Sequence, residues 1–210
     1  MIDNYEILHN GVIKQIDTTN KIKYDVDYIS TYNSEGYAEK GLYMSGLRLG
    51  YLLGNIKKPI KSILDVGYGN GDFLKLCSMG IKDCNGHDIS NYPLPEGVKF
   101  VDNITDRHYD VICFFDVLEH FDDITIVKDL DCDYVYISVP FCHNISDEWF
   151  KNWKHRKENE HLWHFNNDSL ERFFWEMGYM TIFMGNIEDI IRNPADELPN
   201  ILTAIFKKRR

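Results

Sequence analysis

No apolar stretch in this chain approaches the roughly 18 residues that a helix needs to cross a bilayer, and nothing near Met1 joins a basic segment to an apolar one. The sequence is therefore expected to carry neither a membrane anchor nor an export signal. Positive charge is also short: 23 Lys and Arg stand against 33 Asp and Glu, for a net charge of -10. Neutralising phosphates requires a basic surface, so nucleic acid is not an expected partner. The basic tail Lys207-Lys-Arg-Arg210 is a local exception that reads as a solvated end. Paired cysteine motifs are missing as well. The five cysteines (Cys77, Cys84, Cys113, Cys132, Cys142) contain no C-x-x-C pair and are odd in number, which points to a reduced, cytoplasmic protein. No internal repeat or low-complexity tract is present.

What the chain does have is enough apolar material for one substantial core: 210 residues, 44% hydrophobic and 14% aromatic. The reading is an N-terminal segment, residues 1–40, and a main domain, residues 41–210. In the first segment Asn10-Gly11 lies between short apolar runs, a hairpin signal because both turn positions favour positive φ. A tyrosine-dense stretch follows (Tyr24, Tyr28, Tyr32, Tyr37, Tyr43), readable either as packing or as a cap over a ligand mouth. Leu42, Leu47, Leu49, Leu52 and Leu53 then read as a helix. Arg48 on that helix reads as a surface charge, though it could reach a carboxylate.

The main domain is organised around Ser62-Ile-Leu-Asp-Val-Gly-Tyr-Gly-Asn-Gly-Asp-Phe-Leu74. An apolar run that stops at close-set glycines, followed by Phe73, Leu74 and Leu76, reads as buried strand, tight loop and helix start. Gly67, Gly69 and Gly71 can take positive φ and let a ligand lie against the backbone, while the helix start offers unpaired N–H groups. The dinucleotide fingerprint G-x-G-x-x-G is not met, since the spacing here is G-x-G-x-G. An acid, Asp65, also precedes the first glycine, and an anion at the mouth suits a cationic head better than a pyrophosphate. A ligand-free turn is the competing account.

Downstream, Cys84 to Ser90 reads as a second strand ending in Asp88, where a carboxylate could accept two ribose hydroxyls. A third strand is expected over residues 98–104, and a buried fourth over Tyr109 to Asp116. Between the second and third, two prolines in Tyr92-Pro-Leu-Pro-Glu-Gly97 make a crossover helix unexpected. A helix is expected over 122–130, a fifth strand over Tyr134 to Phe141, and a helix from Asp168 to Met177 capped by Asn166, Asn167 or Asp168 and ended by Gly178. Two last strands, 180–184 and 201–206, have no crossover helix between them. The pattern is α/β: a doubly wound, Rossmann-like seven-stranded sheet, mostly parallel with an antiparallel C-terminal edge, plus an N-terminal β-hairpin and helix.

Three motifs in order carry a resemblance: Asp65-x-Gly67-x-Gly69-x-Gly71, Asp88, and Asp116-Val-Leu-Glu-His120. With Glu160-His-Leu-Trp-His-Phe-Asn-Asn-Asp-Ser-Leu170, the chain from Ser62 to Phe206 resembles the class I S-adenosylmethionine-dependent methyltransferases. It is similar in particular to the subgroup of ubiquinone-biosynthesis and other small-molecule methyltransferases. The resemblance implies S-adenosylmethionine as cofactor. Asp65, Gly67, Tyr68, Gly69 and Gly71 would frame its methionine part, Asp88 and Ile89 its ribose, and Asp102 and Asn103 its adenine. Phe115, Asp116 and Val117 would pass beneath the sulfonium. The missing crossover helix departs from the family pattern and bears on the adenine wall.

The resemblance further implies methyl transfer to a hydroxyl or amine of a small polar metabolite, such as a sugar or an aromatic compound. A protein or nucleic-acid acceptor, or a non-catalytic cofactor-binding module, are the alternatives. A hydroxyl acceptor benefits from a base, for which His120, His161 and His143 are the candidates, with His164 nearby. His161-x-x-His164 with Glu158, Glu160 or His143 could also be read as metal ligands, but two histidines at that spacing lack a third fixed ligand, and no metal is assigned.

Overall fold

The computed structural model describes residues 2–22, 35–89, 92–192 and 198–209, with side chains in the first helix described from Lys40 onward. Of the tyrosine-rich cap stretch, Tyr24, Tyr28 and Tyr32 fall outside these residues, Tyr37 lies in the first helix, and Tyr43 is exposed. A seven-stranded sheet fills the centre. Its strands are β3 (Ser62–Val66), β4 (Asp83–His87), β5 (Lys99–Phe100), β6 (Tyr109–Phe115), β7 (Cys132–Pro140), β9 (Tyr179–Gly185) and β10 (Ile201–Lys208). Their order is β5-β4-β3-β6-β7-β10-β9. Pairs from β5 through β7 are parallel, and β10 runs antiparallel to both β7 and β9.

Alternation along the strands explains why both faces are covered. Leu64, Val66, Ile112, Phe114, Val135, Ile137, Ala204 and Phe206 face one apolar layer, joined by Phe173 and Phe174 of α4 (Asn167–Glu176). Ile63, Val111, Cys113, Phe115, Tyr136 and Ile205 face the other, against α1 (Glu35–Asn55) and α2 (Asp72–Cys77). Phe174 stacks on Phe206 with centroids 3.8 Å apart, tying α4 to the inserted antiparallel strand. All five cysteines are free and buried. Among the described residues no helix is long and apolar enough to cross a membrane.

The hairpin forms as β1 (Tyr5–Ile7) and β2 (Ile13–Gln15), and β2 also pairs antiparallel with β8 (Trp163–His164). A three-stranded sheet thus joins the N-terminus to the segment beyond β7, a pairing with no local sequence signal. Only Gly11 of the turn has positive φ, at 87°. Asn10 instead accepts the Val12 N–H through its side-chain oxygen at 3.2 Å, an Asx-type bond that does the turning.

Three other expectations change. Residues 124–129 form a 3-10 helix, not an α-helix, because Asp123 takes both the N–H and the hydroxyl of Thr125, and Ile124, Thr125, Ile126 and Val127 are all β-branched. The third strand shortens to Lys99–Phe100, since Asn103 accepts from the Thr105 N–H and turns the chain. A short helix α5 (Asp189–Arg192) appears between the last two strands, where only a loop was expected, and another, α3 (Asp147–Asn152), lies in the segment after β7.

Helix α4 starts as expected, at a reciprocal cap: Ser169 N–H bonds the Asn166 side chain at 2.8 Å, and the Asn166 N–H bonds the Ser169 hydroxyl at 2.9 Å. Asn166→Ala should cost about 1 kcal/mol. In a chain of this size that lowers the melting temperature by about 2–4 °C, readable by calorimetry.

Candidate active site

The glycine loop leaves the carboxyl end of β3, beside the ends of β4 and β6, where open α/β sheets bind ligands. Gly67, Gly69 and Gly71 all have positive φ (72°, 54° and 77°). They serve different ends. A Cβ on Gly67 would lie 2.3 Å from Val117 Cγ2, and one on Gly71 would lie 2.8 Å from Pro95 Cδ, so these two are required by packing. Around Gly69 there is open space.

Pro95 and Leu94 fill the place of the missing crossover helix. Leu94 lies over Gly86 of β4, and Tyr68 donates its hydroxyl to the Tyr92 carbonyl at 2.5 Å. At the tip of β4, Asp88 accepts the Gly69 N–H at 2.9 Å, which locks the loop to the second strand.

A cavity of about 220 Å³ opens at this loop. Of the residues expected around a cofactor, Asp65, Gly67, Tyr68, Gly69 and Phe115 line it. Asp88, Gly71 and Val117 shape the loop from outside. Ile89, Asp102 and Asn103 are exposed, and Asn103 is engaged with Thr105 and Asp106. Asp65 is 2% exposed, and its Oδ1 accepts no hydrogen bond from a described residue. Burial pushes its carboxyl up to about 8, against the pull of Arg48 and with a further push from Asp88.

Arg48 is the main correction to the sequence reading. It is largely enclosed at the mouth, its side chain 12% exposed, and its guanidinium lies 4.1 Å over the Phe115 ring. It makes a forked pair with Glu188 at 2.7 and 3.0 Å and reaches Asp116 and Ser138 at 3.3 Å. Arg192 closes the network on Asp116 and on Glu188. Burial alone would weaken these charges, but the facing partners outweigh it: Arg48 is held above its ordinary value and Asp116 below. Asp116 also has positive φ, 57°, a strained position for a non-glycine residue, at the end of β6.

One signal bears on the lining residues that sequence reasoning missed. Gly41, Met44, Ser45 and Arg48 recur at helical spacing and form the face of α1 that lines the cavity. Arg192 had no signal, because its place depends on the β9–β10 connection folding back.

The candidate histidines separate. His143 stacks on Phe141 at 4.1 Å, and its Nε2 contacts the Pro199 carbonyl at 2.6 Å. His164 is enclosed by Tyr5, Phe150 and Trp153, and burial pushes it down to about 3. His120 and His161 come together, rings 4.7 Å apart, beside the buried Glu119. Burial lowers both, and His120 also acts on Asp116. His161-x-x-His164 does not converge as a pair. Among the described residues the three-ligand groups are Glu119/His120/His161 and His108/Asp110/Asp133.

A family model described as a methyltransferase domain matches residues 37–182, more than half of the chain. The chain belongs to this methyltransferase-domain family. It is a methyltransferase domain of the S-adenosylmethionine-dependent kind. No curated protein matches the chain significantly. Solved methyltransferase structures share the fold at low identity. The plantazolicin methyltransferase BpumL, in complex with a monoazolic desmethylPZN analog and SAH, is 17% identical with a TM-score of 0.59, covering 88% of this chain and 90% of its own. The Burkholderia thailandensis 1,6-didemethyltoxoflavin-N1-methyltransferase, with its substrate and S-adenosylhomocysteine, is 13% identical with a TM-score of 0.59, covering 99% and 100%. The magnesium protoporphyrin IX methyltransferase of Synechocystis PCC 6803, with bound SAH, is 12% identical with a TM-score of 0.58, covering 87% and 98%. The methyltransferase's loop fits such a cofactor. Asp65 offers a buried carboxyl group, with one oxygen unbonded among the described residues, that can give up its proton to face an ammonium, and Gly69 leaves room for a ligand against the backbone.

Proposed function

We propose that this domain transfers the methyl group of S-adenosylmethionine to a hydroxyl or amine of a small polar metabolite, a sugar or an aromatic compound. The observation that carries the reading is the carboxyl oxygen of Asp65 that has no partner among the described residues, buried in a cavity at the glycine loop. That arrangement suits a cationic amino-acid end. Arg48, lining the same cavity, provides the opposite charge for the carboxylate of that end. Asp88 and Ile89 would hold the ribose, Asp102 and Asn103 the adenine, and Phe115, Asp116 and Val117 the floor beneath the sulfonium. The acidic balance of the chain favours a small acceptor over a nucleic acid. Small-molecule acceptors or their analogues in BpumL and the toxoflavin enzyme support the same reading.

The cofactor supplies an electrophilic methyl on sulfur. The chain's part is alignment in a water-poor cleft, so that the acceptor attacks along the line of the breaking S–C bond. Acceptor activation falls to the polar cluster of His120 and His161, one turn beyond Asp116, with His143 flanking the path after β7.

S-adenosylhomocysteine at about 100 times its Kd should stabilise the protein by about 2.7 kcal/mol. This is a rise of roughly 5–10 °C in melting temperature at this size. Asp88→Ala should remove most of the rise. An unchanged melting temperature for the wild type would overturn the proposal.

A further inference from the structure

We infer that Glu119, His120 and His161 form a binding site for one divalent transition cation, such as zinc or cobalt. Their ligand atoms all lie within 4.8 Å of one another, with His120 Nε2 3.9 Å from Glu119 Oε1. The imidazoles are set up for this by their other nitrogens. His120 Nδ1 faces the Glu160 carbonyl at 2.9 Å, and His161 Nδ1 faces the His155 carbonyl at 2.7 Å. A carbonyl can only accept, so each Nδ1 donates its proton and each neutral ring keeps its lone pair on Nε2, toward the shared centre.

Glu119 supplies the charge. It is 1% exposed, and neither carboxylate oxygen accepts a hydrogen bond from a described residue. An ionised carboxylate buried in that condition is stabilised by a counter-charge, and no Lys or Arg pairs with it among the described residues, so a cation that displaces its proton would supply one. The second cluster, His108/Asp110/Asp133, differs in this respect, because Lys58 already bridges its two carboxylates. Bonds of about 2.0–2.2 Å would require the three donors to close by about 1 Å. Two imidazoles and one carboxylate leave coordination positions open, the arrangement of a cation that takes up a further oxygen ligand. Imidazole donors favour transition ions over magnesium.

A role in catalysis rests on the proposed methyl transfer. The Asp116-to-His120 turn directly follows Phe115, which lines the cavity, and carries two of the three ligands, so a hydroxyl acceptor's oxygen could occupy an open position. There its O–H proton would be lost to solvent as oxygen bonds the methyl carbon and the S–C electron pair returns to sulfur.

The test uses the full chain, stripped with a chelator. Calorimetric titration with zinc should show one equivalent bound, weakened at least 10-fold in Glu119→Gln and in His161→Gln and unchanged in His108→Asn. Wild-type protein loaded with cobalt should show two solvent-exchangeable, paramagnetically shifted N–H resonances, one for each Nδ1–H, a readout that needs no variant. Absence of uptake of both metals, uptake unchanged in both ligand variants, or cobalt spectra without the shifted pair would overturn the site. The melting-temperature rise with S-adenosylhomocysteine separates the two readings: its absence counts against methyl transfer and leaves the metal titration to stand alone.

Discussion

Arg48→Met should lower the stability of this methyltransferase domain by about 3–5 kcal/mol, because it leaves Glu188, fully buried, and Asp116 to share Arg192 alone. In a chain of this size that is a fall of roughly 6–20 °C in melting temperature. Glu188 also links the β9–β10 connection to α1, so the loss would loosen two elements together. The double variant Arg48→Met/Glu188→Met removes charge and counter-charge together and should recover much of the loss. Arg48→Lys should fall between, since an ammonium cannot reproduce the fork on Glu188. Urea titration of the four proteins decides the matter. A single-variant loss below about 1 kcal/mol would show that the network is solvated and contributes as a surface pair does.

The second large effect runs in opposite directions for stability and binding. Asp65→Asn should weaken S-adenosylhomocysteine binding by about 10- to 100-fold, the loss of one charge-assisted bond. The ligand-free variant should be more stable than wild type at pH 8–9. The sign follows from the carboxyl being pushed up to about 8 in the folded chain from 3.8. Between those values the folded state holds a proton that the unfolded state has released. The contribution of Asp65 to wild-type stability is therefore fully present below about pH 4 and declines as pH rises toward 8, by at most about 1.4 kcal/mol per pH unit for one proton. The amide does not titrate, so the substitution removes that slope. Binding of the cationic ligand to wild type at pH 7 should release about one proton, measurable by calorimetry in buffers of different ionisation enthalpy. A variant with unchanged affinity and an unchanged pH profile would remove Asp65 from the site.

Much of the sheet was legible because its strands are short-range patterns: β3, β6, β7 and β10 are near-continuous apolar runs, and Gly67, Gly69, Gly71 and Gly178 mark turns with positive φ. The α4 cap was legible for the same local reason. What misled was local chemistry in competition with pattern. The acids before residue 124 suggested an α-helix, yet Asp123 turned back on Thr125. Arg48 lies on the buried face of its helix with Met44, Ser45 and Leu52, but that face alone does not supply the counter-charge that keeps a guanidinium there. The counter-charge comes from Glu188, some 140 residues away in the sequence, arriving at the same point.

The identity of most strands, the glycine loop with its leading acid and each family motif were determined by the sequence, since each is set by residues within a few positions of one another. Tertiary structure alone decided which charges meet. Glu119, His120 and His161 converge because the turn after β6 packs against the segment before β8, and the Arg48/Asp116/Glu188/Arg192 network forms because α1 and α5 meet over β6. The physical reason is range: backbone preference acts over a few residues, whereas the fate of a buried charge depends on whichever distant group the fold brings to face it.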